Sequence, residues 1–213
     1  TSIGTKAFQN CTSLESAVIN SSANLPNYLF DGCTALLRVT LNNEIQQIGT
    51  YVFRNCASLH AINQADGVNS LPTQLTVLGY ATTTAAYVFQ NCTSLGNITI
   101  PDGVTSIARD NFSGCTALSS VVLGENVTAI YPRAFENCTS LTSINLPDGL
   151  LNLGVGYNIT DSTTSASSSN FTSTSNNNVF AGSGLTSITI PASVKAIGPD
   201  AFNGCVSLAS VTM

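Results

Sequence analysis

Seven cysteines are the most regularly spaced residues of this chain that could bind a metal, form disulfides or act as nucleophiles. They stand at Cys11, Cys33, Cys56, Cys92, Cys115, Cys138 and Cys205. Successive cysteines are 22, 23, 36, 23, 23 and 67 residues apart, whereas structural zinc sites pair cysteines only about two to four residues apart. The odd number argues against a complete set of intrachain disulfides. The spacing therefore indicates a repeated structural unit and predicts no metal site.

The other reactive residues do not indicate a catalytic site. His60 is the only histidine, so a Ser-His-Asp or Cys-His system would depend on it, and its place in SLHAIN favours a solvated strand residue. The 11 carboxylates are scattered, and Asp102 and Asp148 belong to Pro-Asp-Gly turns. No glycine motif for phosphates or dinucleotides is present. We therefore expect a protein that is not an enzyme and uses no cofactor.

Composition excludes several classes of partner. Only 8% of residues are charged, 43% are hydrophobic, and the net charge is −5. The six Lys and Arg residues form no cluster, so we expect no nucleic-acid binding. No run of about 18 apolar residues exists, so we expect no membrane insertion. The chain begins at Thr1 without an initiator methionine, and we expect a fragment cut at both ends from a longer protein, with capping repeats outside it.

A repeat of 22 or 23 residues organises the chain. Its anchors are Phe8, Phe30, Phe53, Phe89, Phe112, Phe135, Phe180 and Phe202. Each unit continues with an alternating segment such as SITI, which has the period of a strand. A turn and a second short segment, V-x-x-I-G, follow, and the second segment is expected to be extended or 3₁₀. A unit this short cannot bury its own apolar side, so the units must stack.

The pattern therefore predicts a single β-rich solenoid over residues 1–213, with about eight to nine repeats and a parallel sheet on one face. Equivalent residues of successive units stack about 4.8 Å apart. The cysteines should then form a structural ladder inside the stack, beside columns of Phe and Leu, because Cys is small and readily buried. Buried free thiols are the favoured state of this ladder. One accidental disulfide and a metal site remain the alternatives.

The phrase AFENCTSLTSINLPDGL at 134–150, with its copies elsewhere, resembles the BspA-like leucine-rich repeats of the 22- to 23-residue class. The resemblance covers nearly the whole chain. It implies a horseshoe or gently curved solenoid and no catalytic residues. It also implies a surface or secreted protein of the kind found in host-associated anaerobic bacteria and some protist parasites, several of which are implicated in adhesion. The seventh copy departs from the pattern, because Ser183 replaces the cysteine.

Two insertions interrupt the repeat, near 63–88 and 154–178. Both contain extra chain after a Leu-Gly pair, followed by a tyrosine and threonines. They should therefore leave the solenoid at the same edge. Tyr80, Tyr87 and Tyr157 are candidate ligand-binding residues there, since binding residues favour loops on rigid scaffolds. The alternative is tolerated surface insertion without function, because long loops cost little entropy.

The outward positions of the predicted sheet carry small polar residues and few aromatic or charged ones. Asn63, Asn97, Thr99 and Asn145 are the candidate ligand-binding residues of this face. A surface without Tyr, Trp or Arg anchors favours weak or glycan-like recognition, or none. An ice-binding threonine ladder is disfavoured, because Val, Asn and Arg interrupt it.

These observations predict a non-enzymatic binding or adhesion module, located at the cell surface or outside the cell. It would recognise a host or microbial protein or glycan. The alternative function is a structural spacer, a stalk that displays other domains and has no ligand of its own. A binder should have a persistent partner and ordered insertions, and a spacer should have neither.

Overall fold

The computed structural model describes residues 2–79, 85–155 and 177–213. These residues form a parallel β-solenoid that contains short strands and no helix, as the repeat predicts. The strands are β1 (Ser16–Ile19), β2 (Arg38–Leu41), β3 (Gln47–Ile48), β4 (Ala61–Ile62), β5 (Val77–Leu78), β6 (Asn97–Thr99), β7 (Ser106–Ile107), β8 (Ser120–Val122), β9 (Ala129–Ile130), β10 (Asn152–Leu153), β11 (Ser187–Thr189), β12 (Ala196–Ile197) and β13 (Ser210–Thr212).

The strands lie on two faces of the solenoid, and most repeats contribute one strand to each face. The alternating segment forms the first strand, and its pairs are all parallel: β1 with β2, β2 with β4, β6 with β8, and β11 with β13. The V-x-x-I-G segment forms a second strand of only two residues, as in the ladder β7-β9-β10-β12. This second segment is therefore extended rather than 3₁₀ throughout the described residues.

Burial alternates along the first strands as their sequences predict. In β8, Ser120 and Val122 are exposed while Val121 is buried, and β11 repeats the pattern with Ile188 inward. The inward residues join one continuous core with the leucines, isoleucines and phenylalanines of all repeats. The outward face keeps the small polar residues.

The phenylalanine column runs through the whole stack. Neighbouring rings lie 5.3–5.7 Å apart between centroids and are within 13° of parallel. The six inner rings are fully buried, whereas Phe8 is 41% exposed in the outermost described turn. Parallel rings at this spacing follow from the solenoid, because each ring is carried on the same backbone position one turn further along.

Each inner cysteine lies beside this column and contacts the turn before its own. The thiol of Cys56 donates to the backbone oxygen of Phe30, and the same contact recurs at 3.0–3.2 Å for Cys33, Cys92, Cys115, Cys138 and Cys205. A side chain here must be small and offer one weak donor, which Cys does. Ser183, which replaces the cysteine, places its hydroxyl 3.4 Å from the sulfur of Cys205.

All seven cysteines are free, and burial divides them into three groups. The five from Cys33 to Cys138 are buried. Burial raises the pKa of the Cys33 thiol to about 11 and that of Cys115 to about 12, so both stay protonated at neutral pH. Cys11, which the ladder was expected to bury, is exposed because no other described turn covers it, and Cys205 is half-buried.

The sheet that the first strands of the repeats form is interrupted at two places. No ladder joins β4 to β6, and none joins β8 to β11 across residues 143–146. The strand expected around Ser143 and Asn145 is therefore absent from the sheet. At the first break, residues 63–70 leave the face through a turn at Asp66 and Gly67, where Ala65 pairs with Val68.

The burial of the thiols predicts three classes of reactivity. In the native protein at neutral pH, a thiol reagent should modify Cys11 rapidly and Cys205 more slowly. The five buried thiols should resist, because they are inaccessible and protonated. After denaturation without reductant, all seven should react. Cys11→Ser is the matched control and should remove only the fast phase. Rapid native modification of four or more thiols would contradict this arrangement.

Truncation of a core side chain in the middle of the stack should destabilise the fold strongly. Leu118 and Phe112 are fully buried, so Leu118→Ala or Phe112→Ala should each lower the free energy of unfolding by about 3 kcal/mol or more. Val206→Ala is the control, since Val206 is 95% exposed, and should change it by less than about 0.5 kcal/mol. Thermal or urea unfolding followed by circular dichroism measures both, and equal stability of core and control variants would contradict the packing.

Candidate functional site

The turn before seven of the eight Phe anchors contains a residue in the left-handed backbone region, and the turn before Phe180 is the exception. The left-handed residue lies two positions before the Phe anchor, and φ there is between 52° and 63° at Lys6, Tyr28, Tyr51, Tyr87, Asp110, Arg133 and Asp200. A left-handed conformation costs a residue with a side chain roughly 1–2 kcal/mol. The stack repeats that conformation turn after turn. Side chains at this position therefore form a row along one edge of the solenoid, which we call the turn edge.

Three tyrosines of this row form a stack, the tyrosine ridge (Tyr28, Tyr51 and Tyr87). The rings of Tyr28 and Tyr51 lie 4.4 Å apart at an angle of 5°, and those of Tyr51 and Tyr87 lie 4.9 Å apart at 25°. All three side chains are partly exposed. Stacked aromatic pairs contribute about 0.5–1.5 kcal/mol beyond their buried area, which offsets part of the backbone cost.

Two cations flank the ridge. The guanidinium carbon of Arg54 lies 4.6 Å from the ring centroid of Tyr51, and the ammonium of Lys6 lies 5.2 Å from that of Tyr28. Arg54 is held in place by buried Asp31 through two hydrogen bonds of 2.8 and 2.9 Å, while Gln9 donates to the same carboxylate at 2.9 Å. The bond to Asp31 raises the pKa of Arg54, so its charge is permanent.

The ridge is suited to hydrogen bonding with a neutral or anionic ligand. Because the rings cover one another's faces, they offer a ligand their edges and hydroxyls rather than a flat platform. Burial raises the pKa of Tyr51, and the neighbouring Tyr28 and Tyr87 raise it further, so the phenol remains a neutral donor at physiological pH. The nearby charges of Arg54 and Lys6 favour carboxylate, sulfate or hydroxyl groups over cations.

The row continues beyond Tyr87 with a cluster of charged residues. Asp110 is fully buried, with Arg133 at 3.0 Å and Arg109 at 3.4 Å, although neither contact has the alignment of a hydrogen bond. Burial raises the pKa of Asp110, while Arg133 and Arg109 oppose the rise. Arg133 also pairs with Glu136 at 2.8 Å, and that carboxylate accepts a hydrogen bond from Asn178. This cluster ties successive turns together.

In both insertions, the extra chain after the Leu-Gly pair begins at an equivalent point of this same edge. Gly79 and Gly154 are both left-handed, with φ of 71° and 83°. Each donates its N–H to the preceding turn, Gly79 to Ile48 and Gly154 to Ile130. Of the predicted loop tyrosines, Tyr87 is in the ridge, whereas Tyr80 and Tyr157 lie outside the described residues. The prediction that those two residues bind a ligand stays untested.

The candidate residues of the sheet face differ in what their side chains contact. Asn63 accepts a hydrogen bond from the backbone of Leu41. Asn97 accepts one from the backbone of Asn69 and donates one to Gly67, so both amides stabilise the bends of this face. Asn145 is exposed and Thr99 is partly exposed. The structure does not bring these four together with the tyrosine ridge.

Other chemistry is not indicated within the described residues. They contain no group of three or more side chains that could hold a metal ion. They also contain no helix long and apolar enough to cross a membrane. His60 is exposed and lies 3.1 Å from the backbone oxygen of Ser58.

The sequence analysis named Tyr87 as a candidate but did not name Tyr28, Tyr51 or Arg54, which the structure places beside it. The signal was available, because three tyrosines occupy the same position of successive repeats, two residues before the Phe anchor. It was overlooked because that position carries Lys, Tyr, Asp, Arg or Asn in different repeats and shows no apolar pattern. Only the stacking of the turns shows that these dissimilar residues share one edge.

Comparison with known proteins agrees with this architecture. The family model for the BspA type leucine rich repeat region matches six copies over residues 1–75 and 82–209. No curated protein matches the chain. A solved leucine-rich repeat protein from Bacteroides ovatus is similar in fold, with a TM-score of 0.67 and 23% identity; the match covers 100% of this chain and 52% of that protein.

A leucine rich cell surface protein from Faecalibacterium prausnitzii is also similar, with a TM-score of 0.61 and 28% identity. The match covers 99% of this chain and 42% of that protein. The chain thus spans about half, or less, of the length of these two solved proteins. With the family model matching almost all of its length, the chain belongs to the BspA-type leucine-rich repeat family.

Proposed function

We propose that this chain is a non-enzymatic binding module of a cell-surface or secreted protein, and that it recognises a protein or glycan ligand through the turn edge. The observation that carries the proposal is the tyrosine ridge with Arg54 beside it. Tyrosine and arginine dominate the energetics of protein interfaces. Here both are partly exposed and held in place, so little side-chain entropy remains to be lost on binding.

Basic residues are concentrated at the same edge, where the three arginines pair with Asp31, Asp110 and Glu136. Of the six basic residues of the chain, Lys6, Arg54, Arg109 and Arg133 lie in or beside this row, whereas the sheet face carries Arg38. The family supports a repeat scaffold, and the similar Faecalibacterium prausnitzii protein is a cell surface protein. Gly79 and Gly154, the residues that precede the extra chain of the two insertions, lie at this edge.

Truncation of the ridge should weaken ligand binding without unfolding the protein. The chain, labelled and applied to arrays of immobilised glycans and extracellular proteins, identifies ligands first. For any ligand so found, Tyr51→Ala or Arg54→Ala should weaken binding about ten-fold or more, the loss typical of an interface anchor. Tyr51→Phe keeps the stack and removes one hydroxyl, so a smaller loss is expected.

The control variants carry changes on the sheet face, where Asn145→Arg and Val122→Ala should leave the binding of the same ligand unchanged. Circular dichroism should show an intact fold in all variants. Binding that survives the ridge variants and disappears with Asn145→Arg would place recognition on the sheet. The complete absence of a ligand on both arrays would favour the spacer function.

A further inference from the structure

The two breaks in the sheet of first strands have matching sequences on both sides. At the first break, LHAIN (59–63) faces NITIP (97–101), and at the second, LTSIN (141–145) faces SITIP (187–191). Ile62 thus corresponds to Ile144, and Thr99 corresponds to Thr189. The same two strand edges therefore occur twice in the molecule, and a comparison of their hydrogen bonds shows what such a break can hold.

At the first break, the chain fills the space with its own residues Asn69–Leu71. Thr99 donates its N–H to the backbone oxygen of Asn69, and Leu71 donates its N–H to the oxygen of Thr99. Ser70 pairs with Thr99 in a parallel bridge and donates its N–H to Ile62. An inserted segment thus satisfies both strand edges.

The side chain of Asn69 completes this bridge. It is 1% exposed, its carboxamide oxygen accepts from the N–H of Ile62, and its amide donates to the backbone oxygens of His60 and Asn97. One asparagine therefore connects two strands that do not pair with each other. The contact needs an Asn, since a carboxamide is both donor and acceptor.

At the second break, the corresponding space is an open groove. The seven residues 64–70 have no counterpart there, because Ile144 continues directly into Asn145-Leu146-Pro147. At the top of the groove, the N–H and the hydroxyl of Thr186 donate to the backbone oxygen of Thr142. Among the described residues, no hydrogen bond joins residues 143–146 to β11. The groove between them has a volume of about 310 Å³, at the lower end of the range of about 300–1,000 Å³ for ligand pockets.

We propose that this groove binds an extended segment of a partner polypeptide, which pairs in parallel with Thr189 as Asn69–Leu71 pairs with Thr99. Unpaired backbone groups at a strand edge are a template for strand addition. The N–H of Thr189 would donate to a backbone oxygen of the partner, and the C=O of Thr189 would accept from a backbone N–H of the partner. The N–H of Ile144 would donate to the carboxamide oxygen of an asparagine in the partner, as the N–H of Ile62 donates to that of Asn69. This surface is separate from the turn edge.

The chemistry of the groove restricts the partner. Ser143, Asn145, Ser187 and Thr189 line it together with the apolar edges of Ile144 and Pro191, and Asp148 supplies the one charge among its described lining residues. A neutral or basic segment with small polar residues fits this lining, and an acidic one does not. The oxygen of Thr142 is already bonded to Thr186, so the asparagine of the partner makes one contact fewer than Asn69.

The first test is amide hydrogen exchange in the free protein, resolved by residue with NMR. The N–H of Thr99 has a backbone acceptor, and that of Thr189 has none among residues 2–79, 85–155 and 177–213. The amide of Thr189 should therefore exchange at least about ten-fold faster. The two residues are matched controls for each other, since both lie in an ITIP sequence. Equal protection of the two amides would show that the groove is closed and would overturn the proposal.

The second test uses the blocked peptide Gly-Val-Asn-Ser-Leu-Pro-Thr, a copy of residues 67–73, as the probe. It should bind saturably and slow the exchange of Thr189 about ten-fold. A peptide with an N-methyl group on its leucine cannot donate to Thr189 and should bind about ten-fold more weakly. No saturable binding up to millimolar peptide, or equal binding of the methylated peptide, would overturn the proposal.

Variants of the protein locate the site. Thr189→Pro removes the N–H that faces the groove and should abolish binding, with circular dichroism as the check of folding. If that variant does not fold, the methylated peptide tests the other hydrogen bond of the same pairing, the one that the C=O of Thr189 accepts. Tyr51→Ala should leave peptide binding unchanged, so failure of this proposal and failure of the proposed function at the turn edge are distinguishable.

Discussion

The structure depends on the contact between the phenylalanine turns of successive repeats. In each turn, alternate backbone N–H groups donate to the next turn, for example Phe30 to Val52 and Gly32 to Arg54. The cysteine thiol donates back to the turn before it. These hydrogen bonds fix the spacing and the register of successive turns. The Phe rings can then stack in parallel, and neither face of the solenoid needs long strands.

The same constraint explains why function is expected at the turn edge. A turn that must repeat its backbone geometry repeats its left-handed residue as well, whatever the side chain there. Most repeat positions are committed to the core or to turns. The position two residues before the Phe anchor is free to vary, and the chain has Tyr, Lys, Arg or Asp there. The backbone cost of the left-handed region is met by ring stacking in one part of the row and by ion pairs in another.

The strands of the sheet face are held together less strongly than the phenylalanine turns, so this face tolerates breaks. Strands of two to four residues form few hydrogen bonds, and the closely packed turns keep neighbouring repeats in register even where a ladder is lost. One break is filled by Asn69, whose carboxamide replaces the missing strand pairing. The other leaves a strand edge open. Both breaks thus change the surface of the sheet face without disturbing the column of phenylalanines.

The sequence by itself determined the repeat, the parallel solenoid and the inward residues, because the spacing of Phe, Cys and Leu leaves one way to bury them. It also predicted that most cysteines are buried, though not that Cys11 is exposed in the outermost described turn. Tertiary structure alone decided which dissimilar residues share an edge, as Tyr28, Tyr51 and Arg54 do. It also decided where strands fail to pair, since LTSIN and LHAIN look equally competent to form a strand. Both properties arise from contacts between residues one repeat apart or more, which local sequence patterns do not encode.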